Sequence, residues 1–214
     1  MSIAQAYNAW SDSYDTNENK TRDLDQQVTR ETLERYDFQQ VLELGCGTGK
    51  NTVYLLEKAS VVTAVDFSEG MLAKAKAKIN SPQITFLQAD ITRPWPSTIP
   101  AVDLITCNLT LEHIADLGFI FQQAGEKLID EGLFFLCELH PFKQYLGSKA
   151  RFDTENGVQE LEVYQHHISE YLQKATAHEF ELIELREWFD EGGTSEIPRL
   201  LSLVFRKSSL KKRS

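Results

Sequence analysis

The chain has 214 residues, 42% hydrophobic and 25% charged, with a formal net charge of -10. That length suits one ordinary domain with a full core, and the apolar fraction excludes wholesale disorder. The acidic balance argues against nucleic acid as a partner, no apolar run approaches the roughly 18 residues of a membrane span, and Met1–Tyr7 lacks a leader's basic and apolar character, so a cytoplasmic chain is expected.

The first stretch, Tyr7 to Asp15, is polar and dotted with aromatics, and regular structure is expected from near Leu24. From Val41 the chain alternates. Short apolar runs at Val41–Leu44, Val61–Val65, Ile84–Leu87, Val102–Cys107 and Leu133–Cys137 suit strands buried on both faces. Between them, Met71, Ala75 and Ile79 recur at helical spacing behind a Ser68 cap, and Ile114, Leu117, Phe121, Ala124 and Leu128 form an amphipathic stripe. Asp130-Glu131-Gly132 reads as the turn into the fifth strand. Pro141 to Gln165 has no period and reads as an insertion. Ile168, Tyr171, Leu172 and Ala175 suggest a last helix, and Phe180–Leu185 and Leu200–Phe205 a final antiparallel hairpin. The pattern predicts an α/β chain with a mostly parallel sheet of seven strands. Its expected parts are an N-terminal lid and first helix (1–36), a ligand-binding core (37–140), and a substrate-side insertion with the closing hairpin (141–214).

The cysteines Cys46, Cys107 and Cys137 have neither disulfide nor zinc spacing and are expected to be small buried residues, and no metal site is expected. The basic tail, Lys207, Lys211, Lys212 and Arg213, reads as a frayed, solubilising end.

The sharpest feature is Glu43-Leu44-Gly45-Cys46-Gly47-Thr48-Gly49, after the first strand. Glycines there let the backbone turn sharply and approach a ligand closely. About twenty residues on, the second strand ends in Asp66, placed to accept hydrogen bonds from a ribose diol. The loop lacks the third glycine of a dinucleotide fingerprint, where Lys50 stands, and Lys50-Asn51 is not the end of a phosphate loop.

These residues resemble class I S-adenosylmethionine-dependent methyltransferases, above all the small stand-alone members that act on small molecules. Glu43–Gly49 resembles their motif I, and Asp66 with Phe67 and Met71 their acidic motif II. Ala89-Asp90-Ile91 resembles the adenine-contacting segment, Asn108–Ile114 the segment under the methionine end, and Leu128–Phe134 the turn into the fifth strand. The resemblance spans roughly residues 40 to 140. It implies a Rossmann-like seven-stranded sheet, mostly parallel with an antiparallel last strand and helices on both faces. It also implies S-adenosylmethionine as cofactor, held by Glu43, Gly45, Cys46, Gly47, Thr48, Gly49, Asp66, Phe67, Met71, Asp90, Ile91 and Asn108, with Tyr14 and Arg22 from the N-terminal part.

The activity implied is methyl transfer to a small-molecule acceptor by in-line attack on the sulfonium methyl. His113 and His140 are the candidate catalytic bases, His113 being equally readable as a helix-lining residue. Tyr7, Trp10 and Tyr14 form a lid or pack on the domain surface. Phe142, Tyr145, Arg151 and Phe152 line the substrate side or lie on the surface. Competing readings are an NAD(P)-dependent oxidoreductase, which the missing third glycine disfavours, and a non-catalytic cofactor-binding module on the same fold.

Overall fold

A computed structural model describes residues 19–147, 151–154, 157–160, 163–190 and 197–209. The five apolar runs form β1 (Gln40–Leu44), β2 (Val61–Asp66), β3 (Ile84–Gln88), β4 (Val102–Asn108) and β5 (Leu128–Leu139). A separate two-stranded hairpin, β6 (Arg151–Thr154) with β7 (Gly157–Glu160), lies in the segment read as an insertion. β8 (Phe180–Trp188) and β9 (Leu200–Lys207) complete the main sheet, whose order is β3-β2-β1-β4-β5-β9-β8. The first five strands are parallel, and β9 runs antiparallel to both β5 and β8. The expected architecture is therefore present.

Successive strand residues point to opposite faces. Leu42, Leu44, Ile105, Phe134, Leu136, Leu203 and Phe205 belong to one apolar core, and their neighbours Val41, Leu104, Phe135, Cys137 and Val204 to the other. That is why the runs are continuously apolar rather than alternating. On one face pack helices α1 (Lys20–Leu33) and α2 (Thr52–Lys58), through Val28, Leu33, Tyr54 and Leu55, with Leu72 of α3 (Glu69–Lys78). The other face is covered by α4 (Leu117–Lys127) and α6 (Ile168–Ala177). There Phe121 meets Phe134, Phe180 and Phe205 edge-on at centroid separations of 5.4, 5.7 and 5.5 Å. A short α5 (Pro141–Tyr145) follows β5.

Ser68 caps α3 as expected, its hydroxyl accepting from Met71 N at 3.1 Å. Two boundaries differ from the sequence reading. α1 starts at Lys20, four residues before Leu24, because Asn19 accepts from the Thr21 and Arg22 amides as its cap. Asp130-Glu131-Gly132 is not a turn but lies inside β5, where Glu131 takes φ 63° and the pairing with β4 shifts register. The basic end also differs: Lys207 closes β9, and its ammonium donates to Leu128 O at 2.7 Å, while residues 210–214 lie outside the described residues. All three cysteines are buried with free thiols.

Candidate functional site

The carboxyl ends of β1, β2 and β4 open onto a cavity of about 340 Å³, in the range of small-ligand sites. The crevice lies where the strand order reverses between β1 and β4, which is where open α/β sheets bind ligands.

The glycine loop forms its floor. Gly45, Gly47 and Gly49 all have positive φ, at 68°, 53° and 82°. Gly45 lies against the loop after β4, where a Cβ would stand 2.2 Å from Thr110 Oγ1. At Gly47 a Cβ would meet nothing within 4 Å, so this residue leaves open a cradle beside the cavity. Three of the loop's amides are spent within the protein. Cys46 N donates to Val65 O at 3.0 Å, Gly47 N to Asp66 Oδ2 at 2.8 Å, and Gly49 N to Cys46 O at 2.9 Å.

Three buried carboxylates, Asp25, Glu43 and Asp66, line the cavity with Arg22 and Lys50. Asp66 accepts from Gly47 N and, through Oδ1, from Ser68 N at 2.8 Å. Burial raises its pKa, against these backbone donors. Glu43 accepts from the Thr52 hydroxyl at 2.5 Å, and burial, reinforced by the charges of Asp25 and Asp66, pushes it up to about 8. Asp25 reaches in from α1. Its oxygens accept from Asn51 Nδ2 at 2.8 Å and Asn108 Nδ2 at 2.6 Å, and burial raises its pKa against those two donors. Asn108 also donates to Thr29 Oγ1 at 2.8 Å. This one carboxylate therefore ties α1 to the loops after both β1 and β4.

Of the residues expected at the cofactor, Arg22, Glu43, Gly45, Cys46, Gly47, Thr48, Asp66, Phe67, Met71, Asp90, Ile91 and Asn108 line this single cavity. Gly49 is not among the lining residues; a Cβ there would meet Ile79 Cδ1 at 2.7 Å, so it serves packing onto the end of α3. Tyr14, like Tyr7 and Trp10, lies outside the described residues. His113 lines the cavity, on the 3-10 turn Leu111–His113 after β4.

His140 is not among the lining residues. Its Nδ1 accepts from Phe142 N at 3.1 Å as the cap of α5, and its Nε2 donates to Glu187 Oε1 at 3.0 Å. Burial lowers its pKa, so both nitrogens are committed in a neutral ring. The signal was Pro141, since proline at the first helical position makes the preceding residue a cap. Phe142 and Tyr145 are half-exposed on α5, while Arg151 and Phe152 fall in β6. No cluster of three metal-ligating side chains occurs among the described residues. No described helix is long and apolar enough to cross a membrane.

Asp25 and Asn51 were not singled out in the sequence. Their spacing of 26 residues follows no local period, and a buried aspartate on a helix is visible only once its donors are.

Comparison with known proteins gives this geometry a family. Residues 41–132 match the methyltransferase-domain family. The chain is 39% identical over 95 residues to trans-aconitate 2-methyltransferase of Acidovorax sp. (strain JS42), an alignment covering 44% of this chain and 35% of the relative. It is 31% identical over 163 residues to malonyl-[acyl-carrier protein] O-methyltransferase of Bacillus cereus, covering 73% of this chain and 60% of the relative. The chain thus spans about a third to three-fifths of the length of these relatives. Among solved structures, the N-methyltransferase NodS from Bradyrhizobium japonicum WM9 in complex with S-adenosyl-L-homocysteine superposes with a TM-score of 0.72 at 17% identity, covering 96% of this chain and 98% of that one, a likeness of fold. The glycine loop and the acid at the tip of β2 lie in or beside the segment that matches the methyltransferase-domain family, and the seven-stranded topology is the fold of the solved methyltransferase structures.

Proposed function

We propose that the protein is an enzyme that transfers a methyl group from S-adenosylmethionine to a small-molecule acceptor. The observation that carries this reading is the character of the crevice. Its glycine-loop amides are turned inward onto Val65 O, Asp66 and Cys46 O, and three buried carboxylates line it. A diphosphate needs the opposite, outward amides and positive potential. A sulfonium nucleoside has no diphosphate and needs neither. That contrast also speaks against the nicotinamide alternative.

The residues fit such a ligand. Each Asp66 oxygen has a lone pair beyond its backbone contact with which to accept from a ribose diol. Phe67, Met71 and Ile91 offer apolar surface for a base, with Asp90 at the edge, where its Oδ1 already holds Thr92 N and Oγ1 at 2.9 and 2.6 Å. The open side of Gly47 admits the ligand without a side chain in the way. Arg22 would match the amino-acid carboxylate. When bound, the cofactor supplies an activated methyl on a sulfonium.

The protein's own part is orientation and exclusion of water at the crevice. His113 would take the proton wherever the acceptor must lose one. The methyltransferases of trans-aconitate and of malonyl-[acyl-carrier protein] among the relatives support an acceptor outside the nucleic-acid class.

Calorimetric titration with S-adenosylmethionine tests the reading. The wild type should bind, and Asp66→Ala should weaken binding about 10- to 100-fold, the range of one or two charge-assisted hydrogen bonds. Absence of heat at millimolar cofactor, or tighter binding of NADH, would overturn it.

A further inference from the structure

The end of β4 and the loop that follows it bring Asn108, Thr110 and His113 to the cavity along a path that needs support from outside the loop. Leu109 adopts φ 49°, a conformation costing a branched residue about 1–3 kcal/mol, so neighbours must hold it there. Some of the hold is backbone. Leu109 N donates to Cys137 O at 2.8 Å, and His113 N to Thr110 O at 3.0 Å. From the outside, Tyr164 N donates to Glu112 O at 2.7 Å, and His166 Nε2 meets Ile114 O at 2.8 Å.

Thr110 Oγ1 adds a bond to Asn108 O at 2.9 Å, and a further hold is a buried side chain near the end of β5. Glu138 is 3% exposed and is not among the residues lining the cavity. Its Oε1 accepts from both Thr110 N at 3.1 Å and Leu111 N at 3.0 Å. These consecutive amides open the turn that carries His113. Its Oε2 is buried with no hydrogen-bond partner among the described residues.

We propose that Glu138 is a positioning residue. It sets the kink after β4 by clamping two backbone amides on one oxygen, so that Thr110 closes against Gly45 and His113 faces the methyl end of the cofactor. This rests on the methyltransferase reading for the identity of that ligand, but not for the clamp itself. The link to the floor of the site is steric, because the space beyond Gly45 is filled by the Thr110 side chain, 2.2 Å from where a Cβ would stand. A loop released from Glu138 would lose that registry and change the shape of the crevice. The acceptor geometry, and not the charge, performs the task. Burial first, and then the acidic groups of Glu112 and Asp25, disfavour the charge of Glu138, and Tyr171, Cys107 and Cys137 lie close enough to feel it.

Three proteins and two measurements test this. Glu138→Leu removes both acceptor bonds, whereas Glu138→Gln keeps a carbonyl oxygen for the two amides and replaces only the acid. Native-state amide exchange should show Thr110 and Leu111 exchanging at least 10-fold faster in the Leu variant, with β1 and β4 unchanged, and within 3-fold of wild type in the Gln variant. Titration with S-adenosylmethionine should show affinity lowered at least 10-fold by Leu and restored to within 3-fold by Gln. Equal protection and affinity in all three proteins would overturn the proposal. So would a Gln variant as impaired as Leu, or loss of protection spread evenly over the sheet. Should wild type bind no S-adenosylmethionine, the methyltransferase reading fails, while amide exchange still decides whether Glu138 clamps the loop.

Discussion

Glu43 shows how a single residue couples the site to stability. It interrupts the apolar run of β1 at a position the strand buries, where it accepts from the Thr52 hydroxyl. Burial raises its pKa from 4.5 to about 8. Between those values the folded chain keeps a proton that the unfolded chain has lost. The contribution is therefore fully present below pH 4.5 and is lost as pH rises to about 8. Glu112, raised by burial to about 7, acts in the same direction. Glu43→Gln should remove this dependence. Its Tm relative to wild type should rise by about 4 °C or more between pH 5 and pH 8.5, using about 2–4 °C per kcal/mol for a chain of this size. Thermal melts across that range check it, and parallel curves for the two proteins would contradict it. At this scale the sequence was most legible where partners are near in the chain. Gly47 and Asp66 are 19 residues apart across one crossover, and their 2.8 Å bond closes a spacing that could be read directly. Asn108 and Asp25 are 83 apart, and no spacing rule joins them. His140, expected as a base, sits as the cap of α5, a place that Pro141 at the first helical position marks in the sequence.

At the scale of the element, α1 is the informative case. Its buried residues include Asp25, Thr29 and Thr32, so its inner face carries little apolar period and its start was placed too late. It is held instead by polar groups. Asp25 accepts from two side-chain amides, and Arg30 forms a bidentate pair with Glu57 of α2 at 2.9 and 3.1 Å. The first of these matters more, since exposed ion pairs contribute little. Asp25→Asn offers one acceptor oxygen where two amides donate, leaving one buried amide without its partner. The expected loss is about 1–3 kcal/mol, or a Tm lower by about 3–8 °C. Differential scanning calorimetry measures it, and an unchanged Tm would show that the helix docks through Val28 and Leu33 alone. β5 teaches a related lesson. Asp130-Glu131-Gly132 has turn composition, yet pairing with β4 overrides it through a bulge, so strand β5 begins five residues earlier than its apolar run.

For the whole molecule, the mostly parallel sheet was legible because two-sided burial writes itself into continuous apolar strands, and the short link between β8 and β9 pointed to an antiparallel pair, whereas the strand order comes from the structure. The crevice followed from topology, since the switch point between β1 and β4 is fixed once the order is. What the sequence withheld was the set of supports beneath the crevice, Asp25, Asn51 and Glu138. All three are polar residues whose meaning comes from long-range partners. The overall charge of -10 has a local counterpart in the acidic residues Asp25, Glu43 and Asp66 that line the site.

A crystal structure grown in S-adenosylmethionine is the most direct test. The account predicts density for a nucleoside bearing an amino acid, its ribose on Asp66, its base near Asp90 and Ile91, and its sulfonium toward the turn that carries His113. Density elsewhere, or a crevice filled by the protein's own side chains at saturating cofactor, would contradict it.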